Sequence, residues 1–241
     1  MKIALAQIQP IAGSIATNMA THLQFIERAA KEKVKLIVFP ELSLTGYEPR
    51  LAKTHTVLTS DGYLQFFRDA CEKHHITIAV GAPVQADEGI AIGMLVFQRK
   101  PGLEIYEKQL LHPDEELYFT PGKKQLIFEV KKNKIAPAIC YESLQPKHAV
   151  QAKALGAEMY IVSAAKTGGG MIMAEDHYAE IAKTYQMPVL VCNSIGFCDD
   201  FMSEGLSAVW DKNGKKIAQL STDTAGLLIY DSETNIATTH Y

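Results

Sequence analysis

The chain has 241 residues, 47% of them hydrophobic, so it can bury one substantial core, and we expect a single domain over residues 1–241. Its formal net charge of −3, with acidic and basic residues interspersed, argues against nucleic acid or an anionic membrane as a partner. Four cysteines without CxxC or paired metal spacing predict reduced thiols in a cytoplasmic protein, and the apolar runs are too short for a membrane-spanning helix. A small molecule or another protein is therefore the expected partner.

Strands and helices alternate in the first third of the chain. "KIALAQI" predicts a buried strand, "LIVF" a second strand stopped by Pro40, and "ITIAVGAPV" a third strand whose glycine and proline mark its exit. Helical spacing of apolar residues predicts a helix over residues 17–33 and another over residues 63–74. The apolar positions of the first helix are Met19, Leu23, Ile26 and Ala30. This alternation is typical of an α/β fold.

The middle of the chain has the pattern of neighbouring hairpin strands. The runs "IGMLVFQ", "LEIYEK", "LIFEV" and "KIAPAIC" are short and rich in strand formers, and turn signals separate them at residues 99–102 and 132–133. A loop over residues 110–124 interrupts them. We therefore expect hairpins in this region.

The α/β alternation resumes at Pro146. A helix is predicted up to Leu155, followed by the strand "MYIVSAA", a long helix over residues 172–186, and four short strands, "PVLVCNS", "LSAVW", "KKIAQL" and "GLLIYD". Residues 232–241, rich in threonine and without apolar periodicity, predict an extended tail that frays or docks on a partner subunit. Alternation at both ends with hairpins between them predicts a core of two sheets with helices on the outside.

Three of the predicted strands end in a residue suited to chemistry. Glu41 follows Pro40, which ends the strand "LIVF". Lys108 is the last residue of "LEIYEK", and Cys140 is the last residue of "APAIC". Each alone has an ordinary explanation: a solvated carboxylate, a surface lysine and an inert core thiol. Together they point to catalysis, because a thiol becomes a good nucleophile when a base takes its proton or a cation stabilises the thiolate.

These segments resemble, in order and in spacing, the motifs of the nitrilase superfamily of carbon–nitrogen hydrolases. The resemblance runs over nearly the whole chain and rests on "KIALAQ", "FPELSLTGY", "YEKQLLHPDEELYFTPG" and "APAICYE". It implies a four-layer αββα sandwich, with two mixed β-sheets flanked by helices, that assembles as a homodimer or a higher homo-oligomer. It also implies chemistry that needs no metal and no cofactor.

The resemblance implies roles for four residues. Glu41 would be the general base, Lys108 the electrostatic stabiliser and Cys140 the nucleophile. Glu115 matches the position of the family's additional glutamate, and Glu116 is the near rival for that role.

The residues after the cysteine depart from the family's usual pattern. An aspartate commonly stands two residues after the cysteine, whereas this chain has Glu142. Tyr47, Glu142 and Lys166 are expected to line the substrate pocket, with Lys166 meeting an acidic substrate group or pairing with Glu142. The backbone N–H of Tyr141 is expected to hold the oxyanion together with the catalytic lysine. The glycine run at residues 168–170 lacks the arrangement of a phosphate-binding loop and predicts a mobile lid or loop.

The expected function is hydrolysis of a small linear amide or carbamoyl compound through a cysteine acyl-enzyme. Nitrile hydrolysis by the same residues stays open, and so does a catalytically silent binding or regulatory protein that keeps the fold. The presence of all three strand-end residues favours an enzyme, because a retained fold alone needs none of them. The sequence leaves the acyl group and the leaving amine open.

Overall fold

Two β-sheets form the centre of the fold in the computed structural model of this protein, which describes residues 1–100 and 102–241. The first seven strands are β1 (Lys2–Gln7), β2 (Leu36–Val38), β3 (Thr77–Gln85), β4 (Ile90–Phe97), β5 (Leu103–Glu107), β6 (Phe128–Val130) and β7 (Asn133–Ile139). The following strands are β8 (Met159–Ala164), β9 (Val189–Asn193), β10 (Ile195–Cys198), β11 (Phe201–Glu204), β12 (Ala208–Trp210), β13 (Lys216–Gln219), β14 (Gly226–Asp231) and β15 (Ile236–His240). The α-helices are α1 (Ile15–Lys31), α2 (Gln65–His74), α3 (Pro146–Ala154) and α4 (Gly168–Tyr185).

Both large sheets mix parallel and antiparallel strands. The seven-stranded sheet has the order β15-β14-β1-β2-β3-β4-β5, the six-stranded sheet has the order β13-β12-β9-β8-β7-β6, and β10 pairs with β11 in a separate hairpin. Strand β2 lies parallel to β1 and β3, and β8 lies parallel to β7 and β9. The carboxyl ends of β7 and β8 therefore meet at the same edge of their sheet.

Alternating side chains of the central strands divide the core into layers. In β1, Ile3 and Leu5 face the second sheet and pack in one cluster with Leu190 of β9, while Ala4 between them faces the helices. Because the side-chain period of a strand is two, one strand supplies apolar side chains to both of its faces. This explains why "KIALAQI" is apolar almost throughout.

The helices cover the outer faces of the two sheets. Phe25 of α1 and Phe67 of α2 pack on the seven-stranded sheet, and Met171 and Tyr178 of α4 pack together with α3 on the six-stranded sheet. The order helix, sheet, sheet, helix confirms the predicted four-layer αββα sandwich. None of the helices in the described residues is both long enough and apolar enough to cross a bilayer.

Two side chains also join the sheets by hydrogen bonds. The Cys192 thiol donates to the carbonyl of Val38 at 3.2 Å, and Ser163 Oγ donates to the carbonyl of Phe39 at 2.9 Å. Both acceptors lie at the end of β2 or directly after it, so these bonds hold the segment that leads into Glu41.

The first helix buries a more polar face than its apolar spacing predicts. Met19, Leu23 and Ala30 are only half-buried. The fully buried residues of α1 are Asn18, His22, Phe25, Ile26 and Ala29. A buried asparagine and a buried histidine are tolerated because their side chains are hydrogen-bonded.

The glycine run at residues 168–170 forms the first turn of α4 and not the mobile lid or loop that the sequence predicts. Thr167 caps this helix by accepting a hydrogen bond from the Gly170 N–H at 3.0 Å, and a carboxylate oxygen of Glu204 accepts one from the Gly168 N–H at 2.8 Å. A Cβ on Gly168 would lie 2.7 Å from the same oxygen, so the absence of a side chain permits this contact. The helix N-terminus is therefore already occupied by a carboxylate of the same chain.

The segment 232–241 also differs from the predicted extended tail. The chain turns back after β14, and β15 pairs antiparallel with β14 from Leu227–His240 to Asp231–Ile236. The segment is thus an edge strand of the chain's own sheet. Its many threonines suit an edge, where much of the strand stays in contact with water.

Two predicted strand boundaries, the end of β3 and the turn between β4 and β5, remain to be compared with the structure. Gly81 and Pro83 lie within β3 and do not mark its exit as predicted. Pro101, part of the turn predicted between β4 and β5, lies outside the described residues.

Candidate active site

Glu41 lies in a tight turn just beyond β2 that packs against β3. A Cβ on Gly81 of β3 would lie 2.4 Å from the carbonyl oxygen of Pro40 and 2.5 Å from the amide nitrogen of Leu42, so only glycine allows this approach. The Leu44 N–H donates to the carbonyl of Gly81 at 2.9 Å. The turn that presents the carboxylate is therefore held by backbone contacts.

Two polar residues of α1 support the same turn, a role that their apolar-spaced neighbours in the sequence do not predict. Asn18 Nδ2 donates to the carbonyl of Leu44 at 3.0 Å, and His22 Nε2 lies 3.0 Å from Ser43 Oγ. Burial lowers the pKa of His22 to about 4, so its ring is neutral at neutral pH. A signal was present in the sequence, since these two residues stand at four-residue spacing on the helical face that continues to Ile26.

Lys108 follows β5 and directs its ammonium group at two carboxylates. Nζ donates to Glu41 Oε1 at 2.8 Å and to Glu115 Oε1 at 2.7 Å, and all three side chains are buried. The Lys108 N–H donates to the carbonyl of Ile92, and the Lys108 carbonyl accepts from the Gly122 N–H. Burial alone would lower the pKa of Lys108, but the two carboxylates raise it above its ordinary value and keep the ammonium charged.

The acidic loop after β5 supplies Glu115 to the site, while Glu116 is exposed. Glu115 also accepts hydrogen bonds from the Tyr47 hydroxyl and the His112 N–H, each at 2.8 Å. The hydroxyl of Tyr47, expected to contact substrate, is therefore engaged in holding Glu115.

Cys140 follows β7 at a sharp turn of the backbone. Its φ of 48° lies in the left-handed region that residues other than glycine rarely adopt, and a short 3-10 helix over Cys140–Leu144 follows. Ser143 Oγ donates to the Cys140 carbonyl at 2.6 Å, and the thiol lies 3.8 Å from the carbonyl oxygen of Ala165. Cys140 is partly exposed, whereas Cys71, Cys192 and Cys198 are buried. The backbone turn thus presents this thiol at a strand end.

The Glu41 carboxylate has one oxygen free to take a proton. Oε1 accepts the Lys108 ammonium, whereas Oε2 is buried and has no hydrogen-bond partner among the described residues. Burial raises the pKa of Glu41 most strongly, the charge of Lys108 opposes the rise, and the net direction is upward. The charge of Glu41 raises the pKa of the Cys140 thiol, so the thiol is an electrostatic neighbour of this carboxylate. A raised pKa and a neighbouring thiol suit a general base.

The thiol is protonated at neutral pH. Burial raises the pKa of Cys140 to about 11, Glu41 adds to the rise, and the charges of Lys166 and Lys108 oppose it. A thiol with this pKa needs a base before it can attack a carbonyl carbon.

Glu142, expected to contact substrate, is instead a structural carboxylate that is fully buried. Its Oε1 accepts the Tyr106 hydroxyl and the Ile139 N–H, each at 2.7 Å. Its Oε2 accepts the N–H groups of Gln109 at 2.7 Å and Leu110 at 3.3 Å. These bonds join the residue before the cysteine to the two residues after the lysine, so Glu142 sets the distance between the two segments.

Lys166 lies two residues beyond β8, next to Ala165, whose carbonyl oxygen is 3.8 Å from the Cys140 sulfur, and it does not pair with Glu142, which was one of the two predictions for it. The charge of its ammonium group opposes the rise in the pKa of the Cys140 thiol, so the two groups are electrostatic neighbours. Asn193 holds the backbone of Lys166, since its side chain accepts from the Lys166 N–H at 2.8 Å and donates to the Lys166 carbonyl at 3.0 Å. Lys166 is therefore brought to the site by the parallel pairing of β7 with β8.

A cavity of about 640 Å³ lies beside the cysteine turn. Tyr141 lines it together with Phe119, and the Tyr141 ring packs edge-on against the ring of His112 with centroids 5.3 Å apart. Tyr141 is thus placed where a pocket residue was expected. Because Tyr141 directly follows Cys140, the cavity adjoins the candidate site. Glu41, Lys108 and Cys140 themselves do not line it.

The side chains brought together are a thiol, a carboxylate with a free oxygen, and a cation, which are the groups that covalent thiol catalysis needs. Within residues 1–100 and 102–241, no set of three or more His, Cys, Asp or Glu side chains is arranged to hold a metal ion.

Known proteins resemble this chain in sequence and in fold. A family model for carbon-nitrogen hydrolase matches residues 2–240. The glutamine-dependent NAD(+) synthetase of Thermotoga maritima is 25% identical over 227 residues, which cover 90% of this chain but only 39% of the synthetase. The 2-oxoglutaramate amidase of Bacillus subtilis is 26% identical over 217 residues, which cover 86% of this chain and 81% of the amidase.

The fold has a close counterpart among solved structures. A mutant of the Nesterenkonia AN1 amidase from the nitrilase superfamily superposes with a TM-score of 0.89 at 21% identity, covering 98% of this chain and 92% of that chain. The match of the family model over nearly the whole chain, together with this fold, confirms the resemblance to the nitrilase superfamily. The chain belongs to the carbon–nitrogen hydrolase family.

Proposed function

We propose that this protein hydrolyses the carbon–nitrogen bond of a small linear amide through a thioester formed on Cys140. The observation that carries the proposal is the free Oε2 atom of Glu41, which has no partner among the described residues and belongs to a carboxylate that neighbours the thiol. A buried acceptor without a partner costs free energy, so its presence calls for an explanation. Accepting the thiol proton supplies that explanation.

In the first half of the reaction, Glu41 takes the proton of Cys140 and the sulfur attacks the carbonyl carbon of the amide. The oxygen of the tetrahedral intermediate is stabilised by the ammonium group of Lys108 and by the backbone N–H of Tyr141. The carbon–nitrogen bond then breaks, and the nitrogen leaves as ammonia or an amine after receiving the proton from Glu41.

In the second half, Glu41 accepts a proton from water, and the resulting hydroxide attacks the thioester carbonyl. The carbon–sulfur bond breaks, the acid product leaves, and the sulfur recovers a proton from Glu41. Each turnover therefore consumes one amide and one water and restores every side chain to its starting state.

Glu115 acts on this cycle through Lys108. Its 2.7 Å ion pair holds the lysine, and the hydrogen bonds from Tyr47 and His112 hold Glu115 itself. Loss of one oxyanion donor typically lowers turnover on the order of a hundredfold or more. The lysine and the glutamate that holds it are thus both expected to be sensitive to substitution.

The relatives suggest where to look for the substrate. One is named as glutamine-dependent and another as an amidase of 2-oxoglutaramate. Both of these compounds end a short unbranched chain in a primary amide. We therefore place linear primary amides first, with carbamoyl amines and nitriles as the further classes that the same residues could attack.

The experiment is a screen of these three classes, monitored for ammonia release and, by mass spectrometry, for released amines. Turnover by the wild-type protein and its loss by at least about a thousandfold in Cys140→Ala is the expected result, because removal of a nucleophile abolishes the covalent route. Cys71→Ala, which removes a buried thiol of α2, is the matched control and should keep wild-type turnover. Full hydrolysis by Cys140→Ala would contradict the mechanism.

Two further expectations stay predictions. A catalytically silent protein would show no selective labelling of Cys140 by a thiol reagent, whereas the enzyme should show labelling that a substrate amide blocks. Assembly as a homodimer, which the family resemblance implies, is measured by light scattering.

A further inference from the structure

The two lysines of the site differ in what balances their charge. Lys108 is paired with Glu41 at 2.8 Å and Glu115 at 2.7 Å, so this buried trio carries a formal charge of −1 when both carboxylates are ionised. Lys166 is half-buried, and no carboxylate of the described residues lies within ion-pairing distance of its ammonium group. The charge of Lys166 is therefore available to the site.

The backbone of Lys166 is held firmly in place. In addition to the two bonds with Asn193, the Lys166 carbonyl accepts hydrogen bonds from Ser203 Oγ at 3.0 Å and from the Glu204 N–H at 3.2 Å. The preceding residue, Ala165, has its carbonyl oxygen 3.8 Å from the Cys140 sulfur. The backbone from which the Lys166 side chain extends, two residues beyond β8, is thus fixed close to the sulfur.

Resting on the proposed function, we propose that Lys166 is the counter-cation of the Cys140 thiolate. With Lys166 included, the formal charges of Glu41, Lys108, Glu115 and Lys166 sum to zero. When the thiol proton moves to Glu41, the thiolate replaces the lost carboxylate charge and the sum stays zero. Without Lys166, the same buried cluster would carry a net negative charge both before and after the transfer, and burial makes such a charge costly.

The electrostatics around the sulfur agree with this assignment. Burial and Glu41 raise the pKa of the Cys140 thiol, and Lys166 opposes the rise more strongly than Lys108 does. The titratable groups that interact electrostatically with Cys140 include Glu41, Glu115, Lys108, Lys166, Tyr47, Tyr178 and Cys198.

Lys166 and Lys108 then have separate tasks in the cycle. Lys108 stabilises the oxygen of each tetrahedral intermediate, while Lys166 stabilises the sulfur at the moment it attacks and again when it leaves the thioester. A cation beside the thiolate also makes it a better leaving group. Both half-reactions should therefore depend on Lys166.

The test is the rate of iodoacetamide alkylation of Cys140, followed by mass spectrometry of the peptide that contains it. It needs no knowledge of the substrate. Lys166→Met should slow alkylation at neutral pH by at least about threefold, since a rise of roughly one pKa unit removes most of the thiolate while the more basic thiolate reacts somewhat faster. Lys166→Arg should keep most of the wild-type rate because it keeps the charge.

Lys147→Met is the matched control. Lys147 is exposed on the wall of the neighbouring cavity, and its loss should leave the alkylation rate unchanged. An unchanged rate in Lys166→Met, with the protein folded by circular dichroism, would overturn the proposal. If iodoacetamide does not reach the sulfur, the ultraviolet absorbance of the thiolate, taken as the difference between each protein and its Cys140→Ser form, reports the same ionisation.

The outcomes also separate this proposal from its foundation. A Cys140→Ala protein that still hydrolyses its amide would end the acyl-enzyme mechanism, whatever the alkylation rates are. A Lys166→Met protein with normal alkylation, and with a raised KM for negatively charged amides alone, would instead make Lys166 a substrate-binding residue and end its assignment as counter-cation.

Discussion

Two buried glutamates, Glu41 and Glu142, lie near Cys140, and they differ in how many hydrogen bonds their oxygens accept. Both oxygens of Glu142 accept hydrogen bonds, four in all. Glu41 accepts the Lys108 ammonium on one oxygen and has nothing on the other among the described residues. A saturated buried carboxylate holds the structure together, whereas an unsaturated one is available for chemistry.

The two glutamates also differ in the charge around them. Glu41 has a buried lysine as partner, while the donors to Glu142 are neutral. His148 lies 3.7 Å from Glu142, but burial lowers the pKa of His148 to about 4 and leaves the ring uncharged at neutral pH. Burial raises the pKa of Glu142 to about 7, with its hydrogen bonds opposing the rise. The structural glutamate therefore titrates near neutrality.

The largest expected effect comes from Glu41→Gln. An amide cannot take the thiol proton, so turnover should fall by about 10² to 10⁴, the range that general base catalysis contributes. The measurement is kcat on whichever amide the wild-type protein hydrolyses. Glu116→Gln, at the exposed neighbour of Glu115, is the control and should keep wild-type turnover. Retained turnover in Glu41→Gln would remove the distinction between the two glutamates.

A smaller effect, on stability and its pH dependence, is expected for Glu142→Gln. The amide nitrogen of glutamine would face backbone N–H donors, and an unpaired buried donor costs about 1–3 kcal/mol of the free energy of unfolding. In the wild type, the folded pKa of about 7 lies above the ordinary value of 4.5, so the folded state binds more protons between these values. The free energy of unfolding contributed by Glu142 is therefore fully present below about pH 4.5 and lost as the pH rises to about 7.

Denaturant unfolding of the wild type and of Glu142→Gln at both ends of this pH range measures the effect. The decrease in stability with rising pH should be smaller in the variant, because its glutamine does not titrate. Glu129→Gln, at an exposed glutamate, should follow the wild type. Equal pH dependence in the wild type and Glu142→Gln would show that Glu142 does not titrate in this range.

The smallest effect is expected for Asn18→Ala, which weakens the support of the Glu41 turn from outside. The substitution removes the donor to the Leu44 carbonyl and should lower the free energy of unfolding by about 1–2 kcal/mol. Turnover should fall by less than in Glu41→Gln, since the backbone contacts of Gly81 remain. The ratio of kcat in Asn18→Ala to kcat in the wild type measures how much α1 contributes to the position of the Glu41 carboxylate. Gln24→Ala, on the exposed face of the same helix, is the control.

The strand-end positions of Glu41, Lys108 and Cys140 were accessible from the sequence because each closes a short apolar run, which is a local pattern. The choice of Glu115 over Glu116 was not, since neighbouring residues of a loop differ only in which way the folded loop turns them. The hairpin of β10 and β11 was also missed.

The prediction for Glu142 was wrong for a related physical reason. Closeness to Cys140 in the chain placed it near the pocket, but a side chain's neighbours depend on which segments pack around it. Three of its four donors lie 32 to 36 residues earlier in the chain. For Lys166, the sequence predicted a position after a strand but did not predict that Cys140 would be its neighbour. The pairing of β7 with β8 decides which residues lie beside the end of β8.

By itself, the sequence determined the alternation of strands and helices, the two-faced burial of the central strands and the positions of Glu41, Lys108 and Cys140 at strand ends. Apolar periodicity encodes these features, because each depends on residues within one element. Only the tertiary structure decided that Glu41 keeps a free oxygen, that Glu142 is saturated, and that Lys166, unlike Lys108, has no carboxylate partner among the described residues. Hydrogen bonds and charge pairs join segments far apart in the chain, and no local pattern records them.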